Sequence, residues 1–279
     1  MRTETIKLTE PQHQELQEIA KALLSQYQIE KIICFAVLSS SDNNETAFAD
    51  REVSSSNAYY LLVLTAELVR IEYAMQDYIS KLFPGTLVIA HGQQTVMDLV
   101  YKHDRFFLHA CLNGALIFTA DGFTMNPEFE PKLIEQVTSK DREAFKHIYN
   151  LATGFMECGF DCYEKGFYNN VTFVLHQAVE HGCRALIRLF TGYHSDIHNL
   201  TRLLDFCKCF SQEPAALFRR HFEPEKKLFG ILAASYSEAR YRDNYSVSKH
   251  DANELCSLVK TFLDLVRKLS GKESLSVPL

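Results

Sequence analysis

Three polar side chains interrupt an apolar helical face in the stretch Phe167–Glu180, FYNNVTFVLHQAVE: His176, Gln177 and Glu180. Phe167, Val171, Val174, Leu175 and Ala178 recur at steps of three and four, the spacing of a helix face turned toward a core. His176 and Glu180 are four residues apart and share one side of that helix. Polar groups withdrawn from water need partners, so this set requires a hydrogen-bond network or a ligand. A second polar stretch, SYSEARYRDNYSVSKHDANEL over Ser235–Leu255, supplies guanidinium, phenol and imidazole groups.

Other chemistry is poorly served. His194 with His198, Cys158 with Cys162, His176 with His181, and Cys207 with Cys209 bring potential metal ligands near one another. Zinc needs four converging ligands, usually from Cys-x-x-Cys clips, and the chain has none, so no metal is expected. Glycine-rich dinucleotide loops, Walker loops, nucleophile elbows and zincin motifs are likewise missing from the sequence. A formal charge of −6 disfavours a strong non-specific nucleic-acid binder. The pairs Arg219-Arg220 and Lys226-Lys227 are the candidates for a local basic patch, with solvated helix faces as the plainer reading. Eight cysteines and an amino terminus, MRTETIKLTEP, without an apolar core predict a reducing, cytoplasmic setting. No apolar run reaches the ~18 residues of a membrane helix, so no membrane partner is expected.

The elements that must position these groups fall into two sets. Residues 10–27 predict a helix with Pro11 in its first turn, Lys31–Ser39 a strand, and 40–57 a polar loop. A strand from Ala58, a helix over 66–83, a strand from Leu87, a helix over 93–112 and a strand from Ala115 follow. The segment 121–131, with Gly122, Pro127 and Pro131, reads as a linker. Beyond it the pattern is helical throughout: 141–165, 167–191, 198–210, 214–240 and 250–269. The first of these should turn Phe145, Ile148, Leu151, Ala152, Phe155 and Cys162 inward. Gly159 on that stripe would admit a close neighbour, Pro224 should kink or split the fourth helix, and Ser248 or Asp251 should cap the last.

LHQAVEHGCRALI, the Gly-Tyr-His at 192–194, HNLTRLLDFC from His198, Ala239-Arg240-Tyr241 and Asp251-Ala252 together resemble a HEPN domain. That is an all-helical family of nucleotide binders, ribonucleases and non-catalytic dimerisation partners. The resemblance implies a helical bundle over 132–271 that forms a homodimer, and it packs the helices bearing His176 and Arg240 together. His176, Gln177 and Glu180 would then face Arg240 and Tyr241. Either an acid pairs with Arg240 to fix helix register, or Arg240 grips a phosphate while Tyr241 stacks on a base. Catalytic members resemble metal-independent ribonucleases with an Arg-x4–6-His motif. Here nine residues intervene between Arg240 and His250 and seven between Arg242 and His250, outside that spacing. In-range pairs, Arg142 with His147 and Arg188 with His194, sit elsewhere. A ribonuclease using Arg240, Arg242 and His250 on RNA is the alternative function.

The order helix, strand, loop, strand, helix, strand, helix, strand over 1–125 resembles a minimal nucleotidyltransferase domain, which often precedes a HEPN domain or pairs with one as an antitoxin. FAVLSSS stands where that family has a Gly-Ser turn, and AYYLLVLT where it has alternating aspartates. Transfer from a metal-bound triphosphate needs carboxylates on one face of a strand to hold magnesium. The aligned positions are Ala58 and Tyr60; the third strand offers His91, and the turn is Ser39-Ser40-Ser41 with no glycine. Asp42, Glu45, Asp50 and Glu52 in the loop are the only displaced ligands on offer, and they define a third reading as an active transferase. The fold class expected is α+β: a mixed α/β nucleotidyltransferase-like domain followed by an all-α HEPN bundle. Its expected function is non-catalytic nucleotide or partner binding as a homodimer, with no cofactor, magnesium included.

Overall fold

The computed structural model describes residues 6–39, 57–66, 71–120, 137–220, 223–241 and 245–274, apart from the side chains of 237–241 and 272–274. The polar loop after residue 39, the linker at 121–131, and Arg242 lie outside the described residues. The chain divides into two compact units, Met1–Gln136 and Val137–Leu279.

In the first unit, helix α1 (Glu10–Leu24) opens on a capping box in which Thr9 and Gln12 satisfy each other's backbone N–H groups, with proline in the first turn. Strands β1 (Ile29–Ser39), β2 (Asn57–Thr65), β3 (Leu87–Gly92) and β4 (Ala115–Thr119) form one sheet in the order β3-β2-β1-β4. Only β2 and β3 run parallel, joined through helix α2 (Glu72–Leu82); β1 is antiparallel to both of its neighbours. Alternation along the strands sends Ile32, Cys34, Tyr59, Leu61 and Val63 into a core with Leu16, Ile19 and Leu23 of α1 and Met75 and Ile79 of α2.

The single helix expected over 93–112 is two: α3 (Gln93–Tyr101) and α4 (Arg105–Asn113). His103 takes a left-handed φ of 57°, and the Asp104 carboxylate caps the new helix by accepting from the backbone N–H of Phe106 and Phe107. Apolar spacing runs on across the break, so periodicity alone joins what a capping residue separates.

The second unit is helical: α5 (Ser139–Glu164), α6 (Tyr168–Thr191), α7 (Leu200–Cys207), α8 (Glu213–Leu217), α9 (Glu225–Tyr241) and α10 (Lys249–Ser274). The fourth predicted helix is split, as Pro224 required, into α8 and α9. Ser248 caps α10, its Oγ accepting from Asp251 N at 3.0 Å. Helix α6 packs against α5, α7, α9 and α10 and is the axis of the bundle. On α5 the inward stripe is narrower than expected. Ala152, Met156 and Gly159 are buried, whereas Leu151 is 44% exposed. Phe145, Ile148, Phe155 and Cys162 flank the stripe half-buried, because the seam with α6 is centred on small residues that draw the two backbones together.

Two glycines set those approaches. A Cβ on Gly159 would lie 3.0 Å from Leu175 Cδ2, so the expected close passage is present. The tighter one is Gly182 on α6, where a Cβ would come within 2.5 Å of the buried Phe262 ring of α10. Gly182→Ala should therefore lower stability by about 1–3 kcal/mol through overpacking. Gly154→Ala on α5, where a Cβ meets nothing within 4 Å, should raise it by up to about 1 kcal/mol through helix propensity. Urea denaturation of the two variants reads opposite signs if the seams are as described.

Candidate functional site

Helix α6 holds the polar set. Gly166 at φ 77° turns the chain from α5 into α6, and Gly192 at φ 82° ends it in the left-handed conformation that favours glycine. Between those ends, His176 is 2% and Glu180 1% exposed. Both are enclosed, as a polar interruption of an apolar face predicts.

Each atom of the cluster can be followed. His176 Nδ1 lies 3.0 Å from the Leu232 carbonyl of α9. A carbonyl only accepts, so Nδ1 carries the proton and, in the neutral ring, Nε2 is left as an acceptor. Burial pushes the His176 pKa down, outweighing the Leu232 carbonyl and the Glu180 charge that act to raise it. The Nε2 atom faces Glu180 Oε2 at 3.8 Å, beyond hydrogen-bond reach. The other carboxylate oxygen, Oε1, accepts from His198 Nδ1 at 3.0 Å and meets Arg184 Nη1 at 3.2 Å. Tyr236 of α9 lies between the two imidazoles, its ring 5.4 Å from His176 and 5.7 Å from His198.

Four buried polar atoms here have no hydrogen-bond partner: His176 Nε2, Glu180 Oε2, Gln177 Nε2 and Arg184 Nε. Two are acceptors and two are donors, on neighbouring turns of one helix. The Gln177 backbone carbonyl is already engaged by His181 Nδ1 at 2.8 Å.

Of the residues singled out from sequence, His176, Gln177 and Glu180 are thus brought together on α6. Helix α9, which bears Arg240 and Tyr241 on its last turn, does pack against α6, while the side chains of those two residues lie outside the described ones. His250 is exposed in the first turn of α10. The approach to that turn is held by Asn169, which donates to the Tyr245 carbonyl at 2.7 Å and accepts from Val247 N at 2.9 Å. The in-range pair Arg188 and His194 is not a unit: Arg188 contacts Asp141 at 3.3 Å and donates to the Gly192 carbonyl, while His194 is exposed. Arg184, His198 and Tyr236 are the members that sequence reasoning missed. Arg184 was legible as the i+4 neighbour of Glu180, and His198 figured only in HNLTRLLDFC and in a metal-ligand spacing with His194. Its place is fixed by the next residue, Asn199, which caps α7 by accepting from Arg202 N at 3.0 Å.

In the first unit, Ala58 and Tyr60, which the resemblance would set against metal-holding carboxylates, lie on β2. Tyr60 is buried and its ring packs 6.0 Å from Phe35, which in turn meets Phe106 of α4 at 5.3 Å. His91 on β3 packs edge-on to Phe107 at 5.1 Å. Ser39 Oγ accepts from Gln12 Nε2 at 3.0 Å and donates to Asn57 Oδ1 at 3.1 Å, so this hydroxyl ties α1 to the ends of β1 and β2. Ser40, Ser41, Asp42, Glu45, Asp50 and Glu52 lie outside the described residues. Among the described residues, no three His, Cys, Asp or Glu side chains converge as metal ligands would, and no helix is long and apolar enough to cross a membrane.

Buried neutral imidazoles fix a pH dependence. Burial, then the neighbouring Arg105 charge, lowers the His109 pKa to about 4, and His176 is lowered in the same sense. The unfolded chain takes up these protons near pH 6.5, before the folded chain does. Stability therefore falls as pH drops below about 6.5, down through the folded-state values. Urea midpoints at pH 7.5 and 5.0 should show a shallower pH slope in His176→Gln and His109→Gln than in the wild type.

Comparison with known proteins gives the helical unit its family. Residues 145–269 match the HEPN domain model. A solved structure of a nucleotidyltransferase-like protein from Exiguobacterium sibiricum 255-15 aligns over 94% of this chain and 77% of its own, at 13% identity and a TM-score of 0.31. A likeness that slight does not define a fold. No curated protein sequence matches the chain. The matched segment runs from within α5 to within α10 and takes in His176, Glu180 and His198, so residues 145–269 are a HEPN domain.

Proposed function

We propose that this protein is a non-catalytic homodimer whose HEPN domain binds a nucleotide or a partner at the His176–Glu180 cluster, and whose α/β domain is an inactive nucleotidyltransferase-like domain. The observation that carries the binding reading is the set of four buried polar atoms without hydrogen-bond partners. His176 Nε2 and Glu180 Oε2 call for a donor, and Gln177 Nε2 and Arg184 Nε call for acceptors. The Watson–Crick edge of an adenine offers both, an amine beside a ring nitrogen. Arg240 and Tyr241, on the helix packed against α6, are the residues proposed to meet the phosphates and the base face.

The inactive reading of the first domain is supported by what lines its sheet. A methyl and a buried phenol cannot hold magnesium at neutral pH. Phe35 and Phe106 fill the layer beside Tyr60, leaving an apolar face in place of an acidic one.

A fluorescent ATP analogue should bind the purified protein without added magnesium. Arg240→Ala and Gln177→Ala should each weaken that binding at least about tenfold, the loss of one charged or buried hydrogen bond, while cooperative unfolding is kept. Sedimentation should report two chains per particle. Neither incorporation of label from ATP with magnesium nor cleavage of structured RNA is expected. RNA cleavage that disappears in Arg240→Ala and His250→Ala would replace this reading with a ribonuclease, and label incorporation would replace it with a transferase.

A further inference from the structure

The basic pair Arg219-Arg220 is not a solvated helix face. It follows α8, and with Lys208, just past the end of α7, it lines a cleft of about 480 Å³ whose apolar wall includes Ala215, Ala216 and Phe218. That volume lies within the range of small-molecule sites.

The cations are held in place before any ligand arrives. Asp205 accepts from Arg220 Nη2 at 2.7 Å and meets Lys208 Nζ at 2.8 Å. Burial acts to raise the Asp205 carboxyl, and the hydrogen bonds and charges of Arg220 and Lys208 more than offset it, so its pKa is lowered. Arg220 also donates to the Thr201 carbonyl at 3.4 Å, and its guanidinium sits 5.9 Å over the Phe229 ring. Arg219 is 68% exposed and meets Glu225 at 3.4 Å, the kind of surface pair that solvent weakens. Two cations thus share one carboxylate inside the cleft, and a third adds its charge at the rim.

We propose that this cleft binds a phosphate monoester with an apolar or aromatic body. The guanidinium forks and the ammonium would take the phosphate oxygens, and the apolar surface at Ala216 the body. The mouth fits a compact anion better than a polymer backbone, because its charge is concentrated at one point instead of drawn out along a groove.

Phenyl phosphate, inorganic phosphate and benzyl alcohol, titrated separately into the full-length protein by calorimetry, test the two halves of the site. Phenyl phosphate should bind at least about tenfold more tightly than either of the others. Arg219→Ala and Lys208→Ala should each weaken it about tenfold, with unchanged thermal melting. Arg220→Lys, which keeps the charge but loses the fork, should weaken it with a smaller effect on inorganic phosphate. Equal affinity for phenyl phosphate and benzyl alcohol, or no loss in Arg219→Ala and Lys208→Ala, would overturn the proposal. So would tight binding of single-stranded RNA lost in the same variants. The α6 cluster shares none of these residues, so failure here leaves the nucleotide reading standing, and failure of that reading leaves this site standing.

Discussion

A carboxylate at 1% exposure in the middle of a 24-residue helix is the interaction around which the helical unit is arranged. Glu180 cannot be kept there alone; an unpaired buried charge costs several kcal/mol. Its partners come from two directions, Arg184 one turn along α6 and His198 from the start of α7, while His176 stands one turn back at 3.8 Å. The two imidazoles beside it are each set by backbone contacts. His176 is tied to α9 through the Leu232 carbonyl, and His198 is set by the Asn199 cap of α7. Satisfying the charge through His198 ties α7 to α6, and the His176 contact with the Leu232 carbonyl ties α9 to it. The small residues Gly159 and Gly182 bring α5 and α10 onto its other sides.

The sheet of the first unit is organised by a different demand. A four-stranded sheet flanked by helices must bury both faces of its central strands, and β2 is buried from Tyr59 to Thr65. Tyr60 occupies the face toward Phe35, whose ring meets Phe106 in turn. Tyr59, on the opposite face, reaches the Glu15 carboxylate of α1 through its phenol at 2.6 Å, and Asn57 donates to the same oxygen at 3.1 Å. Polar groups near the end of β2 hold α1 against the sheet. The aromatic pair Tyr59-Tyr60 thus serves packing on one face and a helix contact on the other.

Much of this was legible in the sequence. Strand β3 is where its β-branched run places it, helix α6 begins within a residue of its expected start, and the predicted fourth helix is interrupted between α8 and α9, with Pro224 directly before α9. Less visible were features decided by space. Leu151 belongs to the apolar period of α5 yet lies outside the seam, since the contact follows Ala152, Met156 and Gly159. Nor did spacing reveal the break at His103, which rests on one left-handed residue and one aspartate cap. The site divides the same way. His176 and Glu180 share a helix and could be paired from their numbers, whereas His198 and Tyr236 come from other helices that only folding brings near.

Two carboxylates of the helical unit show why burial decides what a charged cluster is for. Asp205 is partly exposed, and two cations that line the cleft, Lys208 and Arg220, crowd its one carboxylate. Glu180 is enclosed, and the charge beside it is Arg184, its salt-bridge partner. What remains there is direction: lone pairs and N–H groups with fixed bearings in a low-dielectric setting, where an unmet hydrogen bond costs about 1–3 kcal/mol. A surface cluster of the first kind selects a ligand by charge and tolerates variety in its shape. One of the second kind selects by the pattern of donors and acceptors. The helical unit carries both, on opposite ends of α7: His198 just before Leu200 serves the enclosed carboxylate, and Lys208 just after Cys207 serves the open one.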